Sequence, residues 1–203
     1  MISKIHFKLN KNAKTPVGPF ANIQTSMNVD MKKYNRGIRT GKISNITGVD
    51  LDYDENGQPK QKMCDFIREF GTDYIQSFNT LTQRTPKGGI HLLFQYEADL
   101  RQTQTDGIDI RSDNGYLVYS PSSIDGVQYE IINDVDINKM PTDVHSWLLN
   151  NLYRKKKTEH KKQHTTLSNS ELMENNTYLK VPDPILEKEL ESLPDEYVNT
   201  YNS

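Results

Sequence analysis

Ile46-Thr47-Gly48-Val49-Asp50-Leu51-Asp52-Tyr53, inside the longer run 43–53, is the stretch on which the reading of this chain turns. Val49, Leu51 and Tyr53 alternate with Gly48, Asp50 and Asp52, the period of two expected of a strand that turns successive side chains to opposite faces. Residues two apart share a face, so the two carboxylates project together. Two like charges held that close repel each other unless a cation neutralises them. Mg²⁺ and Mn²⁺ are hard cations that favour such oxygen ligands. Asp-x-Asp also occurs on exposed strand ends; the flanking apolar alternation is what assigns this pair to a core strand. Asp54-Glu55-Asn56-Gly57 then marks a turn.

Two further stretches carry candidate chemistry. In Gly107-Ile108-Asp109-Ile110-Arg111 an acid stands between two isoleucines, where strand propensity disfavours it and something must compensate. Pairing with Arg111, two along on the same face, is one explanation. A three-carboxylate cluster with Asp50 and Asp52, able to hold two cations about 3.5–4 Å apart, is the other. His91 follows Lys87-Gly88-Gly89 and begins an apolar strand with Leu93 on its own face. A lone histidine on a strand is usually a satisfied structural group. Here the glycines let the backbone approach a ligand closely, and histidine with Lys87 suits an anion such as a triphosphate. Ser112-Asp113-Asn114-Gly115 reads as a hairpin turn. Ser120-Pro121-Ser122-Ser123 reads as the close of a strand, with hydroxyls within reach of a sugar or phosphate as the sharper alternative. His6, His145, His160 and His164 sit in settings that suggest no site.

The remaining pattern gives a strand near Ile5–Leu9, then a loop and a short helix through the basic stretch Lys32–Lys42. A helix over Lys62–Phe70 ends at Gly71. Strands Asn79–Thr85 and Ile90–Tyr96 flank the turn Pro86–Gly89, and a second pair, 107–111 with 116–119, flanks Ser112–Gly115. Val127–Ile132 adds a last strand. A helix over Thr142–Tyr153, capped by Thr142 or Asp143, lines up Val144, Trp147, Leu148 and Leu152.

Hydrophobic residues are only 34% of the 203, mean hydropathy is -0.78, and apolar residues thin out after Leu152. The expected organisation is an α+β domain over 1–153, a basic and polar linker over 154–182, and a short helix within 183–203 (Ile185–Leu193), in a largely disordered C-terminal tail. The basic run Arg154–His164 reads as a solvated linker, with a phosphate-binding arm as the alternative. A net charge of -2 argues against a protein coated in positive charge but leaves room for a local basic groove. The lone Cys64 reads as a buried structural thiol; with no signal-like N-terminus and no apolar run near the ~20 residues of a membrane span, a soluble protein of a reducing interior is expected.

In order and spacing these pieces resemble the N-terminal primase-polymerase (prim-pol) domain of the archaeo-eukaryotic primase superfamily. The resemblance rests on Thr40-Gly41-Lys42 with Asn45 to Asp52, on Thr85-Pro86-Lys87-Gly88-Gly89-Ile90-His91-Leu92-Leu93-Phe94, and on Gly107 to Val118 running on to Ser120-Pro121-Ser122. Lys14-Thr15-Pro16 resembles the Lys-x-Pro near the start of such domains. It implies a catalytic core related to the RNA-recognition fold, with a mixed sheet and flanking helices. It further implies divalent metal, Mg²⁺ or Mn²⁺, on Asp50, Asp52 and Asp109, and His91 on the phosphates of an incoming NTP or dNTP. Lys87, Gly88, Gly89 and Arg111 fall to the same nucleotide pocket. The implied reaction is in-line attack of a 3′-hydroxyl on an α-phosphate, directed by a single-stranded DNA template.

The front end is shorter than the family's, and Ser112-Asp113-Asn114 replaces the usual Gly-Asp or Gly-Gly. Leu190 to Tyr201 resembles the start of the accessory domain that joins prim-pol to a helicase in primase-helicases of large DNA viruses and plasmids. The expectation is therefore a fragment, or a split gene, of a viral replication protein acting in a cell interior, with a helicase module in cis or trans. Two rivals stay open: the same fold as an inactive nucleotide- or single-strand-binding module, and a metal-dependent nuclease using the same carboxylates.

Overall fold

Successive side chains of a strand face opposite ways, which sorts the core into two sides of one sheet. The computed structural model describes residues 2–153. Its strands are β1 (His6–Asn10), β2 (Tyr34–Arg39), β3 (Ile46–Leu51), β4 (Thr82–Arg84), β5 (Ile90–Gln95), β6 (Ile108–Arg111), β7 (Tyr116–Tyr119), β8 (Ser123–Ile124), β9 (Val127–Gln128) and β10 (Glu130–Asn133). The helices are α1 (Gln61–Phe70), α2 (Thr72–Gln76) and α3 (Thr142–Leu152). A five-stranded sheet runs β10-β4-β5-β3-β6, a three-stranded sheet β1-β2-β7, and β8 pairs with β9. This is an α+β architecture with several sheets and few helices. The mixed sheet expected from the resemblance is instead antiparallel in every pairing among the described residues.

On one side of the five-stranded sheet Val49, Leu51, Leu92, Phe94, Ile108 and Ile110 pack against Met63 and Phe66 of α1 and Val144 and Leu148 of α3. On the other, Ile46, Leu81 and Leu93 meet Ile38, Leu117 and Tyr119 of the three-stranded sheet. Gly48 permits that meeting, since a Cβ there would lie 2.6 Å from Leu117 Cδ1. Helix α1 ends where expected, at Gly71 with φ +80°, whose N–H donates to Ile67 O. Asp54 makes the expected turn, its Oδ1 accepting the N–H groups of Asn56 and Gln58.

Several expectations are corrected. The basic stretch holds β2 rather than a helix: Gly37 pairs with Phe7 across the strands, and the Phe7 ring covers the glycine. β6 and β7 do not form a hairpin; β6 pairs with β3 and β7 with β2. Ser112–Gly115 carries the chain between the two sheets, because it is tied to the Thr40-Gly41-Lys42 turn. Thr40 Oγ1 donates to Ser112 O and Asp113 Oδ1 accepts the Lys42 N–H. The segment from Val127 divides into β9 and β10. Helix α3 has Pro141 as its N-cap and no side-chain cap; Asp143 instead accepts the Tyr74 hydroxyl at 2.7 Å. Ser122 is fully buried, accepting the Arg36 N–H at 2.7 Å and donating to Arg36 O at 3.1 Å, so its hydroxyl serves the fold. Cys64 is half-buried, its Sγ 3.2 Å from Pro59 O. The linker, the short helix and the disordered tail expected beyond Tyr153 lie outside the described residues, as do His160 and His164. No described helix is long and apolar enough to cross a membrane.

His6 on β1 gives the fold a pH dependence. Burial, reinforced by the Arg36 charge, lowers its imidazole from the ordinary 6.5 to about 4. Within that window the unfolded chain binds a proton that the native state refuses. Stability from this group is therefore complete above the ordinary value and is lost as pH falls towards 4. Urea unfolding at pH 7.5 and pH 4.5 is expected to show His6→Gln losing less stability over the interval than wild type. The difference should be on the order of 2 kcal/mol, discounted from the full shift because the ring is partly solvated. Equal losses would remove His6 as the linked group.

Candidate active site

Antiparallel pairing sets residues distant in sequence side by side. Across the five-stranded sheet, Gln83 of β4 pairs with His91 of β5, His91 with Asp50 of β3, and Asp50 with Asp109 of β6. Side chains directly opposite on neighbouring strands share a face, so four polar groups form one row on the helix-free side. Asp52 lies just past the end of β3, its backbone N–H donating to Gly107 O at 2.9 Å. One carboxylate oxygen from each of Asp50, Asp52 and Asp109 falls within 4.8 Å of the others.

The electrostatics of this trio are unbalanced by the protein alone. Burial pushes the Asp52 carboxyl above its ordinary range, and the negative charges of Asp50 and Asp109 push the same way against Lys60 and Lys14. Burial also works against the charge on Asp50, but the adjoining His91 ring, Arg111 and Lys14 together hold its carboxyl below the ordinary range. His91 Nε2 lies 3.2 Å from Asp50 Oδ1, yet its N–H is not aligned on that oxygen, which stays buried without a hydrogen bond. Asp109 is only 8% exposed and answers both readings of the sequence. Arg111 Nη2 donates to its Oδ2 at 2.8 Å, the Thr105 N–H to its Oδ1 at 3.1 Å, and it still joins the trio.

An orphaned buried carboxylate oxygen beside two more acids is the donor set a hard divalent cation would complete. By this chemistry Asp50, Asp52 and Asp109 fit Mg²⁺ or Mn²⁺.

Next to the row opens a cavity of about 240 Å³ whose lining includes Lys14, Phe20, Asp50, His91, Arg111 and Tyr116. Of the residues singled out for a nucleotide pocket, His91 and Arg111 reach it. Lys87 and Gly88 are exposed in the β4–β5 turn and do not line it. Gly89 is buried, and its missing side chain admits the main chain of β3: a Cβ would stand 2.7 Å from Leu51 O and 3.4 Å from Asp52 Oδ1. Here the glycine serves the strand that carries the acids.

Three contributors escaped sequence reasoning. Lys14 was visible only as part of a motif, and nothing in its spacing pointed at Asp50. Tyr129, buried beside the His91 ring at 5.7 Å between centroids, has its hydroxyl driven well above its ordinary range by burial and then by Asp50 and Asp52. Arg39, 2% exposed, donates to Ala21 O and Ile23 O at 2.9 and 2.7 Å and so fastens the loop that brings Phe20 to the cavity. Elsewhere, Glu97, Asp99 and His145 also approach one another, but Asp99 is exposed and already accepts from His145 Nε2 at 2.9 Å.

No curated protein matches the sequence. The profile of the family described as bifunctional DNA primase/polymerase, N-terminal, does match, over residues 7–143. That span takes in every strand of the two larger sheets except the first residue of β1, and all of the acidic row. The chain belongs to the Prim-Pol family of bifunctional DNA primase/polymerase N-terminal domains.

Proposed function

We propose that this domain catalyses template-directed nucleotidyl transfer in DNA replication, on a core related to the RNA-recognition fold. The observation that carries the proposal is the convergence of Asp50, Asp52 and Asp109 beside a cavity bearing Lys14 and Arg111, in a chain of the Prim-Pol family. Negative and positive groups so divided suit a polyphosphate substrate. Asp50, Asp52 and Asp109 would hold two divalent ions, Mg²⁺ or Mn²⁺, which when bound activate a primer 3′-hydroxyl and offset charge on the leaving pyrophosphate.

The chain's own side chains do the rest. Lys14 and Arg111 attract the triphosphate of an incoming NTP or dNTP, and His91 offers a ring N–H at the acidic end of the cavity. Phe20 and Tyr116, with ring centroids 4.8 Å apart, give an apolar wall suited to a base or sugar. A single-stranded DNA template and a helicase module are the partners this reading implies. Lys87, Gly88 and Gly89 would act on the nucleotide indirectly, through the turn that shapes the β5 strand.

The test is incorporation on a single-stranded DNA template, with and without a primer, comparing NTP with dNTP in Mg²⁺ or Mn²⁺. Metal-dependent extension that stops with chelator is the expected result. Nucleotide binding without extension would favour an inactive binding module, and template degradation would favour a nuclease.

A further inference from the structure

Gln83 makes more contacts than a strand filler needs. It is fully buried, and its side chain stands beside His91 in the polar row. Its Nε2 lies 2.6 Å from Val118 O and 2.7 Å from His91 Nδ1, and its Oε1 accepts the Ser120 N–H at 3.1 Å. The two backbone groups fix which way the amide faces. Reversed, oxygen would oppose the Val118 carbonyl and nitrogen would oppose the Ser120 N–H, so both hydrogen bonds would become repulsions.

With the amide so fixed, one Nε2 hydrogen goes to Val118 O and the other points at His91 Nδ1. A ring nitrogen that receives a hydrogen bond carries no proton of its own. With Nδ1 accepting from Gln83, the ring proton belongs on Nε2, the nitrogen 3.2 Å from Asp50 Oδ1. Both His91 and Asp50 line the cavity.

We propose that Gln83 is a positioning residue that locks His91 in its Nε2–H tautomer, so that the nitrogen at the phosphate end of the cavity, 3.2 Å from Asp50 Oδ1, is the one that carries the proton. Its kinetic consequence rests on the nucleotidyl-transfer reading above; the tautomer does not. Partners behind a functional histidine set its ring orientation and tautomer in the same way at metal sites.

The full-length protein labelled with ¹⁵N-histidine tests this by two-bond ¹H–¹⁵N correlation at pH 7.5, with the His91 signal assigned by its loss in His91→Asn. The expected pattern is an unprotonated nitrogen at Nδ1 and a protonated one at Nε2. A protonated Nδ1 in wild type overturns the proposal. Gln83→Glu keeps an acceptor for the Ser120 N–H but offers Nδ1 only oxygens. It should therefore protonate Nδ1 and raise the nucleotide KM about 10- to 100-fold, with a smaller change in kcat. A wild-type signature in Gln83→Glu, or a changed tautomer with KM and kcat unaltered, also overturns it. Wild-type protein that shows the expected tautomer yet never extends a primer would sink the polymerase reading and leave the lock in place.

Discussion

Asp50→Asn is expected to lower metal-dependent nucleotide incorporation on the order of a thousandfold or more while leaving the domain folded. The size follows from the several kcal/mol that charge stabilisation at a metal centre contributes to a phosphoryl-transfer barrier, at about 1.4 kcal/mol for each tenfold. The retained fold follows from the same residues. Asp50 Oδ1 has no hydrogen bond to lose, and removing its charge relieves the repulsion that raises the Asp52 carboxyl. The same substitution gives up the attraction of His91, Arg111 and Lys14 that holds the Asp50 carboxyl below its ordinary range, so without divalent ions the variant should melt close to the wild-type temperature. Saturating Mn²⁺ should raise the melting temperature of wild type, because an ion that binds only the native state stabilises it by mass action, and should hardly move that of Asp50→Asn. Normal extension by the variant, or an equal Mn²⁺ response, would detach Asp50 from the chemistry.

Phe66→Ala is expected to be the most damaging single truncation of the core, costing about 3–5 kcal/mol. Phe66 is fully buried in α1, packs edge-on against Trp147 at 5.1 Å and touches the Phe70 ring at 4.8 Å between centroids. It joins both helices to the side of the sheet formed by Val49, Leu51, Ile108 and Ile110, the apolar backing of the strands that carry the acids. A domain of this size has only about 5–15 kcal/mol in reserve. Urea unfolding should accordingly show a large drop in midpoint, and incorporation should fail on mild warming well before it does in wild type. A loss under about 1 kcal/mol would mean that α1 is not the support described.

What could be read from the sequence follows from where the physical signal was local. The alternation through Val49, Asp50, Leu51 and Asp52 exposed a carboxylate pair because strand periodicity depends on neighbours alone. The proximity of Asp109 to that pair depends on pairing between β3 and β6, some sixty residues apart, which a sequence pattern does not encode. β2 was hidden for a different reason. Asn35 and Arg39 look like surface residues, yet both are buried and donate to backbone carbonyls, Asn35 to those of Ala13 and Ser123 and Arg39 through one Nη to those of Ala21 and Ile23. A polar residue whose partners come from distant loops carries no hydropathic signature. Gln83 was overlooked for the same cause. The β6–β7 hairpin was misread because a four-residue turn between two apolar runs favours pairing, while the contacts holding Ser112 and Asp113 come from Thr40 and Lys42.

The row Gln83–His91–Asp50–Asp109 also sets rules for how such a domain can change its length. Because alternate residues face opposite ways, gaining or losing one residue inside β6 would turn Asp109 towards α1 and α3 and bring an isoleucine into its place. A change of two would restore the facing but move the acid along the strand by nearly 7 Å. Connections that do not touch the acids can lengthen or shorten with little effect on them, unlike the one between β5 and β6, where Thr105 and Gly107 bond Asp109 and Asp52; the strands themselves tolerate almost no insertion or deletion. Diversification of this scaffold should thus concentrate in its loops, with even a one-residue frameshift in strand parity enough to dismantle the acidic centre.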